Sequence, residues 1–180
     1  ATNLYVAVYP QGSTDAAIIS NFKDGANPTA VKTQGFNGSS LSTTVTIPLV
    51  KDMEYDVVFW AESYTDGAAD DPYSFDSASR SIKVDYSKMP LDSEEADAFY
   101  AQVSIKSAGT VHNVTLTRPF AQINVGTADL QQAAAAGKAV TKAGLTFSQL
   151  DNTFNLATSQ ASGSDENVTF PVTPLPASAD

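Results

Sequence analysis

The run Glu54–Glu62 constrains the fold most. Read with a period of two, it sends Tyr55, Val57, Phe59 and Ala61 to one side and Val58 and Trp60 to the other, so the strand is apolar on both faces. Such a strand belongs in the interior of a sheet, with Trp60 buried. Leu4, Val6 and Val8, alternating with Tyr5, Ala7 and Tyr9 before Pro10, describe a second strand of this kind, also expected to be central.

Shorter alternating runs follow the same grammar. Val45, Ile47 and Leu49 alternate with Thr44, Thr46 and Pro48; Asn37-Gly38 upstream is a turn signal, and Pro48 marks an edge or a strand end. Residues 63–79 have no period and read as a long surface loop. Beyond it, strands are expected at Ile82–Tyr86, Phe99–Lys106, Val111–Leu116, Phe120–Gly126, Gly144–Leu150, Thr153–Ala157 and Val168–Val172. Asp92 and Glu95 have capping-box spacing, which places one or two helical turns at 93–97. One helix is expected, Ala128–Ala136, with Thr127 as N-cap, Asp129 in its first turn and Gly137 just past its end. Eight or nine strands with frequent turns and one small helix predict an all-β sandwich over 1–170, followed by a linker or tail at 171–180.

Composition narrows the chemistry. A chain of 180 residues is long enough to bury roughly 70% of its unfolded surface. Twenty acidic side chains against ten basic ones give a net charge of −10, which repels phosphate backbones and anionic lipid, so neither nucleic acid nor a membrane surface is an expected partner. There is no Cys, hence no disulfide, thiolate catalysis or zinc knuckle within the chain. No apolar run approaches the ~18 residues of a membrane span. The first residues read as a strand: either a signal was removed before this numbering begins or the protein never had one. Abundant Ser, Thr, Asn and Gly with few Lys and Arg lean towards export.

Catalytic constellations are not found. The sequence has no phosphate loop, dinucleotide glycine fingerprint, nucleophile elbow or His-Glu-x-x-His helix. His112, the single His, reads as structural or surface-placed. No enzymatic activity and no cofactor are therefore expected. Asp66, Asp70 and Asp71, or Asp92, Glu94 and Glu95, could offer oxygens to calcium, but neither run has EF-hand spacing and both read as solvated loop carboxylates. Tyr64 and Tyr73, placed in the long loop, are the candidates for exposed aromatic contact with a ligand or partner.

Three motifs in order along the chain carry a resemblance: Tyr55–Glu62, Asp97–Ala101 and Leu116–Thr127, the last reading Leu-Thr-Arg-Pro-Phe-Ala-Gln-Ile-Asn-Val-Gly-Thr. With the closing Thr153–Leu156 and Ser162-Gly163, they are similar to the N-terminal domain of fimbrillin-like surface lipoproteins of anaerobic Gram-negative bacteria of the gut and mouth. The resemblance implies a transthyretin-like Greek-key sandwich, usually followed by a second one, in a protein exported and anchored to the outer membrane through a lipidated Cys upstream. It implies a non-catalytic structural or adhesive role, with partners among other surface or pilus subunits joined by strand addition; a glycan- or glycoprotein-binding module that does not polymerise is the alternative.

In pilus-forming members cleavage after an Arg releases an N-terminal strand, whereas the only Arg residues here are Arg80 and Arg118. The edge beside Leu4–Tyr9 is where strand exchange is expected, left open for a second chain or covered by the 171–180 tail. Trp60, Phe99, Tyr100, Arg118, Pro119 and Phe120 are the motif residues, expected to be structural: Phe120 in the core, Pro119 at a bend, and Arg118 on a carboxylate or on carbonyls. Asp76-Ser77-Ala78 resembles the signal for O-glycosylation of exported proteins in the same bacteria, which makes Ser77 a candidate for modification.

Overall fold

A computed structural model describes residues 1–34, 39, 42–90, 93–109, 111–123, 125–164 and 167–174. The chain is all-β with one short helix, and its frame is a pair of four-stranded antiparallel sheets. The first sheet has the order β2-β1-β5-β8, from β1 (Asn3–Pro10), β2 (Ile19–Ser20), β5 (Glu54–Glu62) and β8 (Phe99–Lys106). The second has the order β11-β10-β7-β6, from β6 (Tyr73–Asp76), β7 (Ser81–Val84), β10 (Thr153–Asn155) and β11 (Gln160–Ser162). Two further antiparallel pairs are described: β3 (Lys32–Gln34) with β4 (Thr44–Thr46), and β9 (Lys142–Phe147) with β12 (Val168–Pro174).

The period-two reading of β1 and β5 decides the layering. Ala7, Tyr9, Val58 and Trp60 point towards the second sheet, where they pack with Tyr73, Ile82, Val84, Phe154 and Leu156. Trp60 is wholly buried, on a strand paired on both sides. Leu4, Val6, Val8, Tyr55, Val57 and Ala61 point the other way into a second cluster, which Val45, Ile47, Leu49 and Leu116 partly cover. Each aliphatic side chain fully removed from water in these layers contributes about 1.5–3 kcal/mol before entropy is counted.

β1 is central, but its outer neighbour is only two residues long. The rest of that edge is closed by Asn21, whose side chain acts like a piece of backbone. Its Oδ1 accepts from the Val6 N–H at 2.6 Å, its Nδ2 donates to the Leu4 carbonyl at 3.0 Å, and its own N–H donates to the Val6 carbonyl at 3.2 Å. The strand-exchange edge expected beside Leu4–Tyr9 is therefore already occupied.

Several sequence expectations are corrected. The 63–79 loop contains β6, and the turn at 77–80 joins it to β7. No ladder forms over Val111–Leu116: Thr117 alone exchanges two backbone hydrogen bonds with Tyr100, at 2.8 and 2.9 Å, while Val111 stands 90% exposed. Among the described residues of 120–126 there is no strand either, since Ile123 and Val125 have no sheet to pack on and lie open to solvent. The helix α1 is shorter than expected, Leu130–Ala135, with Asp129 rather than Thr127 at its N-cap position; Gly137 does follow its end with a positive φ of 71°. The turn at Glu94–Ala96 is a 3-10 helix capped by Ser93, whose hydroxyl accepts from the Glu95 N–H. β12 continues through Pro174, past the expected start of the tail at 171. The Asn37-Gly38 turn, Asp92 and the tail beyond 174 lie outside the described residues.

Candidate functional site

β8 is an eight-residue strand laddered to β5 on one side; on the other, among the described residues, it meets only Thr117, at Tyr100. The hydrogen-bond exchange between Tyr100 and Thr117 fixes which of its residues aim outward: by the antiparallel alternation, Tyr100, Gln102, Ser104 and Lys106 turn their N–H and C=O groups away from β5. Beyond Tyr100, no described residue pairs with that outer row. On the face shared with the second apolar cluster, Phe99, Val103 and Ile105 are half-buried beside Phe59, Leu49 and Leu116. A backbone edge that no other described residue pairs, above a partly covered apolar strip, is the arrangement an added strand uses.

The start of this edge is braced by the motif residues. Arg118 holds Asp97 through Nε at 2.9 and 2.8 Å and through Nη2 at 2.5 Å, and its guanidinium lies 5.3 Å from the centre of the Phe99 ring. The fork ties the chain after β8 back to the segment before it, so Arg118 takes the carboxylate role foreseen for it. Phe120 is half-buried against the inter-sheet core, stacked on Tyr73 at 5.9 Å and edge-on to Trp60 at 6.3 Å. Tyr100 stands edge-on to Phe154 at 4.7 Å, and Pro119 sits between the Arg118 fork and the Phe120 ring.

A second region of interest is the 63–72 loop, which follows the C-terminal end of β5 and leads into β6. Tyr64 is half-exposed there, as an aromatic contact requires. Tyr73 is not: it opens β6, is 3% exposed and donates its hydroxyl to the Ala96 carbonyl, so it serves packing instead. Burial first, then Glu95 and Asp70, pushes the Tyr64 phenol up. Asp71 organises the loop from a buried position, accepting from the Gly67 N–H at 2.9 Å and the Tyr73 N–H at 2.8 Å. Among the described residues, no three His, Cys, Asp or Glu side chains group as a metal-binding set.

Sequence reading did not single out Glu62. It is the last residue of β5, 1% exposed, with an Oε2 that meets no hydrogen-bond partner. Burial pushes its carboxyl from an ordinary 4.5 to about 8; Asp71 and Asp66 add to the rise, and the Trp60 indole N–H opposes it without reaching hydrogen-bond geometry. The signal was present in the alternation, because Val58, Trp60 and Glu62 share one face.

Ser77 lies apart, in the turn after β6. Its hydroxyl oxygen accepts from the Ala17 N–H at 2.8 Å and its carbonyl accepts from the Tyr9 hydroxyl at 2.9 Å, which leaves it half-buried rather than on an open loop. Arg80 closes the same corner, stacked 4.0 Å over Tyr9, paired with Asp56 at 3.4 Å and donating to the Ser13 carbonyl at 2.5 Å. An open groove of about 500 Å³ between Ile19, Ala30, Lys32 and Pro48 offers one cation and no carboxylate. No helix among the described residues is long and apolar enough to cross a membrane.

Compared with known proteins, the chain matches the model of a family of unknown function, DUF6562, over residues 3–179. No curated protein and no solved structure matched.

Proposed function

The chain belongs to the DUF6562 family, and for it we propose a non-catalytic role as a cell-surface structural or adhesive module, similar to the fimbrillin-like lipoproteins, with partner subunits joined by strand addition. In this reading the parent protein is exported and held at the outer membrane through a lipidated Cys upstream. The observation that carries the reading is the outer edge of β8: three outward residues, Gln102, Ser104 and Lys106, above the half-buried side chains of Val103 and Ile105. An incoming strand gains backbone hydrogen bonds from the first set and apolar contact from the second. The receiving edge is thus β8, in place of the β1 edge, which Asn21 closes.

Gln102→Pro tests this. Its N–H points away from β5, so a proline there removes a donor that an incoming strand needs and leaves the β5 ladder whole. In the native host, the variant should reach the surface and fail to enter assemblies. Normal assembly by the variant, or a parent protein found only inside the cell, would refute the proposal.

A second reading, a glycan-binding module that does not polymerise, is favoured by Tyr64, whose half-exposed ring has the Asp70 and Glu95 carboxylates nearby. Aromatic faces flanked by hydrogen-bond acceptors suit sugar rings. Glycan-array binding that disappears in Tyr64→Ala would move this reading ahead.

A further inference from the structure

Glu62 is a buried acid in acidic company. The groups coupled to it electrostatically are the Trp60 indole on its own strand, Asp66, Asp71 and Tyr64 from the 63–72 loop, Tyr73 from β6 and Tyr5 from β1. Two lysines lie in this region and both are committed elsewhere: Lys88 Nζ donates to the Asp71 carbonyl at 3.1 Å, and the Lys23 side chain lies across Gly67 beside Asp66. An ionised Glu62 would sit 1% exposed, with an unpartnered oxygen, in a site where Asp71 and Asp66 add to the cost of charging it. Like charges in such a site are strongly unfavourable, and protonation of one of them is the relief available without moving the chain.

Movement of the loop that carries Asp66 and Asp71 is the other relief. Asp71 is what seats the 63–72 loop, capping Gly67 and Tyr73 while its neighbour Pro72 is fully buried. The loop's other ties run to neighbouring elements: Thr2 Oγ1 to the Ser63 carbonyl at 3.2 Å, Asn3 Nδ2 to the Tyr64 carbonyl at 2.7 Å, the Asp66 N–H to the Tyr5 hydroxyl at 2.8 Å, the Lys23 N–H to the Asp66 carboxylate, and the Asp85 N–H to the Pro72 carbonyl at 2.8 Å. We propose that Glu62 is a proton-operated latch on this loop: as a neutral acid it lets Asp71 seat the loop, and on losing its proton it drives the loop open. The consequence is that Tyr64 and the surface around it are presented in two states selected by pH, whatever that surface binds.

The test is the rate of cleavage within 63–72 by chymotrypsin in the intact chain, normalised to an unfolded peptide at each pH. Opening should rise by up to about tenfold per pH unit from near pH 5, where an exposed glutamate titrates, and level off near pH 8, where the closed form ionises. Glu62→Gln, which cannot ionise, should be flat. A flat wild-type profile, an equal slope in Glu62→Gln, or cleavage inside β5 rising in step with that in the loop would overturn the latch. Should Glu62→Gln fail to fold, carboxyl-carbon NMR of the wild-type chain decides: a Glu62 signal titrating with the exposed glutamates refutes the proposal, and one titrating near pH 8 supports it.

Discussion

Asn21→Ala isolates the seal on β1. The substitution deletes the two side-chain hydrogen bonds to the Val6 N–H and the Leu4 carbonyl, at 2.6 and 3.0 Å, and leaves the backbone of residue 21 able to reach Val6. Val6 is wholly buried and Leu4 nearly so, so water reaches neither group easily. Leaving a buried donor or acceptor unmet costs about 1–3 kcal/mol, and two such groups put the variant about 2–6 kcal/mol below the parent. Asn21→Asp sharpens the test. A carboxylate still accepts from Val6 but turns an oxygen towards the Leu4 carbonyl, so this variant should be the less stable of the two at neutral pH and recover part of the loss when the acid is protonated near pH 4. Urea unfolding followed by the fluorescence of Trp60, the single Trp, reads both. A loss below about 0.5 kcal/mol in Asn21→Ala, or Asn21→Asp insensitive to pH, would refute the claim that this side chain completes the sheet edge.

Three other outcomes follow from the packing. Because the folded pKa of Glu62 is raised above its unfolded value, the native state binds the extra proton, and its stabilising effect is complete below pH 4.5 and lost as pH rises to about 8; up to about 4–5 kcal/mol should disappear over that window and persist in Glu62→Gln, as measured by urea midpoints across pH. Arg80→Ala removes a largely buried ion pair with Asp56, a hydrogen bond to Ser13 and a stack on Tyr9, and should cost about 3 kcal/mol in chemical denaturation, with Arg80→Lys recovering little of it. Phe120→Ala should cost about 2 kcal/mol, below the 3–5 of a fully buried ring, because this ring is only half-buried between Tyr73 and Trp60.

Where the sequence was legible, the reason is that two-sided apolar alternation has a single structural solution. β5 spans the residues that carry that alternation, β8 matches its run as well, and β1 extends one residue at each end of its own. Where it misled, alternation was present without a surface to pack on. Ile123 and Val125 repeat at strand spacing yet stay exposed, and Val111–Leu116 meets β8 only at Thr117. β6 was hidden because Tyr73–Asp76 is four residues long and flanked by turn chemistry, so its membership in a sheet is decided by pairing with β7. The Asn21 seal and the Arg80 corner are contacts between residues 15 and 67 positions apart in the chain, which no local pattern announces. Glu62 was the legible miss: its place on the face of Trp60 follows from counting by two.

The surface-module proposal rests on a β8 edge that no described residue pairs beyond Tyr100, and amide hydrogen exchange at Gln102, Ser104 and Lys106 tests it most directly. In the isolated chain these three amides should exchange far faster than those of Ala101, Val103 and Ile105, which face β5. In protein recovered from the surface of its native host in assembled form, the same three should become protected while the β5-facing set is unchanged. Equal protection of both sets in the isolated chain, or no gain on assembly, would contradict strand addition at β8.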